Sequence, residues 1–497
     1  MSTTLYRAGR VHGPEPRATA LLVDGDRIAW LGQGSDAPSA DTTVDLDSAW
    51  VAPAFVDAHI HATSTGLALT GLDLTGTTSL AQALRLLEDH CRRTRGGVVL
   101  GTGWDETLWP EGRPPTAAEL DRASYGGVVY LARADVHSAV ASSALLAACP
   151  EARGLEGFVG DGLVRTTAHH AVRRAAQESV TPAQRSAAQR AALDRAAELG
   201  IVCVHECGGP DISGEDDFTA LLALDHGVER IGYWGELDAV DKARALGAAG
   251  AAGDLFVDGA LGSRTACLSG HYQDGDGSGH AYLDGEQVAR HVVACTRAGM
   301  QAGFHAIGDA ALQAVADGFT QAAVTVGLAA VRAARHRVEH VEMVTAAQIE
   351  ALATCGVIAS VQPVFDARWG GEQGMYVQRL GRERALAMNP FAAMARAGVE
   401  LAFGSDSPVT ALGPWVAVRA AVQHRTPGSG LSLSDAFDAH TVAGWRACGR
   451  EEEGALRVGS PATFAVWHGP DGLPDLADQD PVCMVTVRAG RPLYTAS

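Results

Sequence analysis

Short apolar runs alternate with alanine-rich amphipathic stretches over most of the chain, and the two patterns predict different elements. Runs such as "PAFVDAHIH" (53–61), "GIVCVHECGG" (200–209) and "GVIASVQPV" (356–364) read as buried strands. Between them, helical runs such as "SAAQRAALDRAAELG" (186–200) end at glycine just before the next apolar run, which is the punctuation of repeated strand–helix units. The chain ends differ. Residues 1–50 alternate short apolar runs with Asp-Gly-type turns, as in "ALLVDGDRIAWLGQG", and "ATFAVWHGP" and "CMVTVRAGRPLY" near the other end also read as strands. No internal sequence repeat accompanies the alternation.

Chemistry is concentrated where apolar runs stop. On a strand, residues i and i+2 point to the same side, so His59 and His61 project together. "GFHAIGD" carries His305, "RVEHVEM" carries His340 and "LAFGSDSPV" carries Asp406. Four imidazoles and a carboxylate placed this way are the donor set of a divalent metal. A parallel (β/α)8 barrel spends roughly 30 residues on each strand–helix unit and gathers its site at the strand C-termini. His305 and His340 are 35 residues apart, one unit, and His340 and Asp406 are 66 apart, two units, with "GVIASVQPV" as the strand between. These spacings assign His59 and His61 to strand 1, His305 to strand 5, His340 to strand 6 and Asp406 to strand 8. From His61 to His305 is 244 residues. Four units need only about 120, so the first half of the barrel carries an insertion of similar size.

Composition narrows the partners. With 497 residues, 47% of them hydrophobic, the chain can bury a large core in two structural units. A formal charge of −19 excludes the basic footprint that nucleic acid requires. No apolar run reaches a membrane span, and "MSTTLYRAGRVHG" lacks the pattern of a secretory signal. Nine scattered cysteines do not form a disulfide framework, which fits a cytoplasmic protein. A small-molecule substrate is the expected partner, and a homodimer is compatible with the fold.

Several segments together resemble the amidohydrolase superfamily, in particular its branch of YtcJ-like enzymes related to N-substituted formamide deformylase. They are "PAFVDAHIH", "GTGWDETLW", "ADVHSAVASSALL", "LFVDGALGSRTA", "FHAIGDAAL", "RVEHVEM", "SVQPVFD" and "FGSDSPV", spread over nearly the whole chain. The resemblance implies hydrolysis of a non-peptide amide-like C–N bond, with His59, His61, His305, His340 and Asp406 as ligands of one or two ions, zinc foremost. It also implies an α/β fold: a TIM barrel over 52–454 with an insertion at roughly 66–200, beside a small β-sandwich formed by 1–51 and 455–497. Asp406, by its own chemistry and by the resemblance, is the expected proton carrier between water and the departing nitrogen.

One departure concerns lysine. Many binuclear members bridge their ions with a carbamylated lysine at the end of strand 4, four residues before the aspartate that is Asp258 here. That position is Asp254, and the only lysine in the chain is Lys242. Three arrangements remain open: a carboxylate bridge, with Glu206 the longer candidate and Asp254 the one in place; a single ion; or a barrel without catalysis. His137, Trp104 and Arg264 are candidates for substrate contact, with a polar loop, core packing and a structural ion pair as their respective alternatives. Asp57, Asp309 and Glu339 are candidate partners for the histidines, Glu339 last because alternation turns it away from His340. The alternative activity is a mononuclear deaminase or cyclic-ureide hydrolase; such deaminases usually carry a glutamate three residues after the strand-5 histidine, where this chain has Gly308.

Overall fold

The computed structural model describes residues 2–94, 96–134, 138–469 and 480–496. Two compact units emerge, Met1–His61 with Leu193–Ser497, and Ala62–Ala192.

The first unit contains eight parallel strands in chain order: β1 (Phe55–Ile60), β2 (Ile201–Gly208), β3 (Glu229–Trp234), β4 (Gly250–Ala251), β5 (Gln301–Ala306), β6 (Arg337–His340), β7 (Ile358–Val361) and β8 (Glu400–Phe403). Each pairs with the next. β8 returns to β1 through a parallel bridge between Ser407 and Ile60. His61 N–H donates to Ser407 O at 3.0 Å and Asp406 N–H to His59 O at 2.8 Å, closing the sheet into a (β/α)8 barrel. β1, β2, β6 and β7 are buried at every position, as strands with helices outside and side chains inside must be. Helices stand between successive strands, among them Gly285–Ala298, Asp309–Val326 and Ala346–Cys355. The last begins at a reciprocal cap: Thr345 Oγ1 accepts from the Gln348 N–H, and Gln348 Oε1 accepts from the Thr345 N–H.

Both chain ends contribute to two further sheets in this unit. One has four strands within residues 3–45; the other joins Arg10–Val11 and Trp50–Pro53 to Phe464–His468, Val482–Arg488 and Arg491–Thr495. Leu21, Val23 and Ile28 of the first share a core with Val51, Phe464, Val466 and Val487 of the second.

The second unit has its own six-stranded sheet, with cores on both faces. Alternation along Val129–Arg133 sends Leu131 to one core and Tyr130 to the other. Among the described residues no single helix is long and apolar enough to cross a membrane.

Candidate metal centre

The C-terminal ends of β1, β4, β5, β6 and β8 bring six side chains together. His59 and His61 arrive from β1, both turned inward. Their Nε2 atoms lie 3.4 and 3.2 Å from Asp254 Oδ2, and 3.5 and 3.1 Å from Asp406 Oδ1. Asp254 follows the two-residue strand β4, and its other oxygen faces another pair: Oδ1 is 3.6 Å from His305 Nδ1 and 3.6 Å from His340 Nε2. One aspartate thus stands between two pairs of imidazoles.

The outer nitrogens of three of these rings have partners that fix which atom faces inward, whereas His61 Nδ1 is buried without one. His59 Nδ1 lies 2.9 Å from Glu339 Oε2, His305 Nε2 lies 3.2 Å from Gly259 O, and His340 Nδ1 lies 2.8 Å from Gln362 Oε1. Carboxylates and carbonyls only accept, so His59 carries its proton on Nδ1 and His305 carries its proton on Nε2. The inward atoms His59 Nε2, His305 Nδ1 and Asp254 Oδ1 are buried and take no hydrogen bond from the protein. Buried lone pairs left without donors are costly unless a cation takes them up. The donor set therefore fits a divalent ion. Three overlapping groups have their ligand atoms within 4.8 Å of one another: His59, His61 and Asp254; Asp254, His305 and His340; and His59, His340 and Asp406.

Electrostatics favour positive charge at the same place. Burial opposes charging His61, yet hydrogen bonds donated to the Asp254 and Asp406 carboxylates push it up to about 10. Burial alone would raise Asp254, but His59, His305 and His340 around it hold it well below the usual carboxylate range. Asp406 is likewise lowered against its burial by His61 and His59.

Local backbone explains how β6 and β8 present their residues. His340 has φ +72° and Val341 φ +51°, a left-handed turn that non-glycine residues rarely adopt. It re-aims His340 after Glu339, so both side chains reach the barrel interior. The expectation that Glu339 turns away is corrected: it serves His59, not His340. Asp406 is also left-handed, at φ +53°.

Residues 42–494 match the family model described as the amidohydrolase family. This chain belongs to the amidohydrolase family. It is similar to a putative amidohydrolase, YtcJ, of Bacillus subtilis, 25% identical over 77% of this chain and 75% of that one. It is also 26% identical to the N-substituted formamide deformylase of Arthrobacter pascens, across 94% of this chain and 91% of the relative. Among solved structures, an uncharacterized metal-dependent hydrolase from Pyrococcus furiosus matches with a TM-score of 0.79 and 26% identity, covering 93% of this chain and 98% of that one. The protein is thus a hydrolase of the amidohydrolase family.

Other expected residues fall elsewhere in this amidohydrolase. Glu206 is a correction: it belongs to none of the donor groups above. Alternation along β2 gives the inner face to His205, which meets Arg337, and to Cys207, which lies near His59, leaving Glu206 on the other face. Trp104 is a core residue of the second unit, 1% exposed, with its indole N–H donated to Leu131 O at 2.8 Å. Packing replaces the expected substrate contact. Arg264 is paired with Asp274, which also holds Arg379, so a structural ion pair accounts for it. Asp309 accepts from the Ser269 N–H at 3.0 Å, anchoring the loop after β4; its helix begins without a side-chain cap. His137 lies outside the described residues. Gln362 and Arg337 were not anticipated. The apolar run ending in Gln362 signalled only a strand, and a lone arginine inside a parallel strand has no sequence pattern of its own.

Proposed function

We propose that this amidohydrolase cleaves a non-peptide amide-like C–N bond, in a formamide, N-acyl or cyclic amide, with one or two divalent ions, zinc foremost. The observation that supports this most directly is Asp254 standing between two histidine pairs, with the inward nitrogens of His59 and His305 buried and taking no hydrogen bond from the protein. His59, His61 and Asp406 would hold one ion, His305 and His340 the other, with Asp254 reaching both. Bound there, a divalent ion supplies Lewis-acid polarisation of a carbonyl and a lowered pKa for water.

The chain's own residues do the rest. Asp406, ionised and 3.1 Å from His61 Nε2, is placed to accept a proton from water and return it to the leaving nitrogen. Glu339, Gly259 and Gln362 orient the rings so that lone pairs converge. The deaminase alternative is disfavoured sterically. A Cβ at Gly308 would sit 2.0 Å from Cys267 O, leaving no room for a glutamate three residues after His305. Nine free cysteines among the described residues support a cytoplasmic setting.

Elemental analysis of protein purified without chelator tests the reading. About two equivalents of metal per chain support a pair of ions, and one supports a single-ion hydrolase. Replacing His59 and His61 together with Ala should abolish metal uptake and hydrolysis across a panel of N-formyl, N-acyl and hydantoin-like compounds. Asp406→Asn, compared with the wild type at equal metal content, should lower kcat by roughly 10²–10⁴-fold. Undiminished hydrolysis in the double variant sinks the assignment.

A further inference from the structure

Beneath the candidate metal centre, one arginine ties together five strands of the barrel. Arg337, on β6, is fully buried. Its Nε and Nη2 donate to the two oxygens of Glu339 at 2.5 and 2.9 Å. Nη2 also donates to Ala58 O on β1 at 2.6 Å and to Ser360 Oγ on β7 at 3.0 Å. Nη1 lies 3.2 Å from His205 Nδ1 on β2, and the guanidinium sits 4.2 Å from the ring centroid of Tyr233 on β3. A buried cation held this way is costly to leave unpaired, and the fork geometry is one that lysine cannot reproduce.

Two of those contacts converge on a single residue. Arg337 grips the carbonyl that immediately precedes His59. Through Glu339 Oε2 it also reaches His59 Nδ1, at 2.9 Å. The carboxylate has no proton to give, so His59 must donate and its Nε2 lone pair must face Asp254 and Asp406. The other two outer contacts that could fix a ring, Gly259 O on His305 and Gln362 on His340, are neutral. His305 Nε2 also lies 4.0 Å from Asp258 Oδ1, beyond hydrogen-bond distance, so of these three rings His59 alone is hydrogen-bonded to a carboxylate that an arginine holds.

We infer that Arg337 is a positioning residue for the metal centre: acting through Glu339, it sets the tautomer and ring orientation of His59 and so strengthens metal binding at that site. The inference rests on the metal reading proposed above. It differs from a purely structural role in one consequence. If Arg337 acts through Glu339, removing the guanidinium after Glu339 has been altered costs no further metal affinity.

The experiment is chelator competition for Zn²⁺ on the metal-stripped full chain, with circular dichroism confirming the fold of each variant. Glu339→Gln and Arg337→Met are each expected to weaken Zn²⁺ binding by about 10–100-fold. The double variant R337M/E339Q is expected to match Glu339→Gln within about threefold, the signature of two residues on one route. R337M leaves Glu339 buried and unpaired and is the variant at risk of misfolding. The pair R337M/E339M removes both charges at similar volume, and it is expected to fold and to bind as weakly as Glu339→Gln. Wild-type affinity in folded R337M or R337M/E339M, or losses that multiply in R337M/E339Q, overturns the relay while leaving the metal site standing. Failure of the wild-type chain to take up Zn²⁺ overturns the metal reading, and the relay with it.

Discussion

The two oxygens of Asp254 face different histidine pairs, Oδ2 toward His59 and His61 and Oδ1 toward His305 and His340. One short side chain therefore faces all four imidazoles, and its loss acts on both halves of the centre at once. Asp254→Asn keeps the volume and removes the charge. It should lower metal content per chain below that of the wild type, read by elemental analysis after equal exposure to metal. Glu206→Gln, on the opposite face of β2, should leave metal content unchanged. The reverse pattern would return the bridging role to Glu206. The sequence left both carboxylates open, Glu206 for its reach and Asp254 for its place four residues before Asp258. What decides instead is direction, and the two-residue strand β4 is too short to reveal a direction by alternation.

At the scale of single elements, the site depends on how β8 closes against β1. Gly404 lies at that seam, where a Cβ would stand 2.4 Å from His59 N and 2.7 Å from His59 Cβ. Around it, Ser405 N–H donates to Asp57 Oδ1 at 2.9 Å and Asp406 N–H to His59 O at 2.8 Å. An added methyl meets backbone on the facing strand, which cannot rotate away. Gly404→Ala should therefore push the strands apart, costing about 1–3 kcal/mol by urea unfolding and lowering metal affinity through displacement of His59. An unchanged midpoint together with unchanged affinity would mean the seam is looser than these distances require. The strands themselves were legible from the sequence, because each apolar run is long enough to stand out and the 35- and 66-residue spacings match barrel units. Glu339 was misread for a local reason. Strict alternation excludes it beside His340, and the left-handed backbone at His340 and Val341 breaks that alternation without any glycine to announce it. Trp104 stayed open between pocket and core because an aromatic at the end of a strand looks the same whether it lines a pocket or fills a core.

Across the whole molecule, titrating groups divide by position, and the division makes stability respond to pH in opposing ways. Buried histidines away from the metal centre are held neutral. His336 accepts the Ala302 N–H on Nδ1 at 2.8 Å, and burial, aided by His291, pushes it down to about 3. Burial similarly pushes His440, bonded to Val56 O, down to about 4. An unfolded histidine binds a proton near pH 6.5, so below that pH the unfolded chain binds more protons than the folded one. Their contribution is complete above about 6.5 and is lost as pH falls, by up to about 1.4 kcal/mol per histidine per pH unit. Buried acids act the other way. Burial raises Asp57 to about 6 and Glu342 to about 7, so the folded state gains protons, and relative stability, as pH falls through those values. The wild-type curve therefore mixes the two signs, and a single-site difference is needed to separate them. His336→Asn removes one histidine and leaves both acids in place. The stability gap between wild type and variant should narrow by about 2 kcal/mol between pH 6.5 and pH 5, whatever its size at pH 7. Parallel urea titrations at the two pH values measure this directly. A gap that stays constant would show that His336 takes up its proton in the folded protein as readily as in the unfolded one.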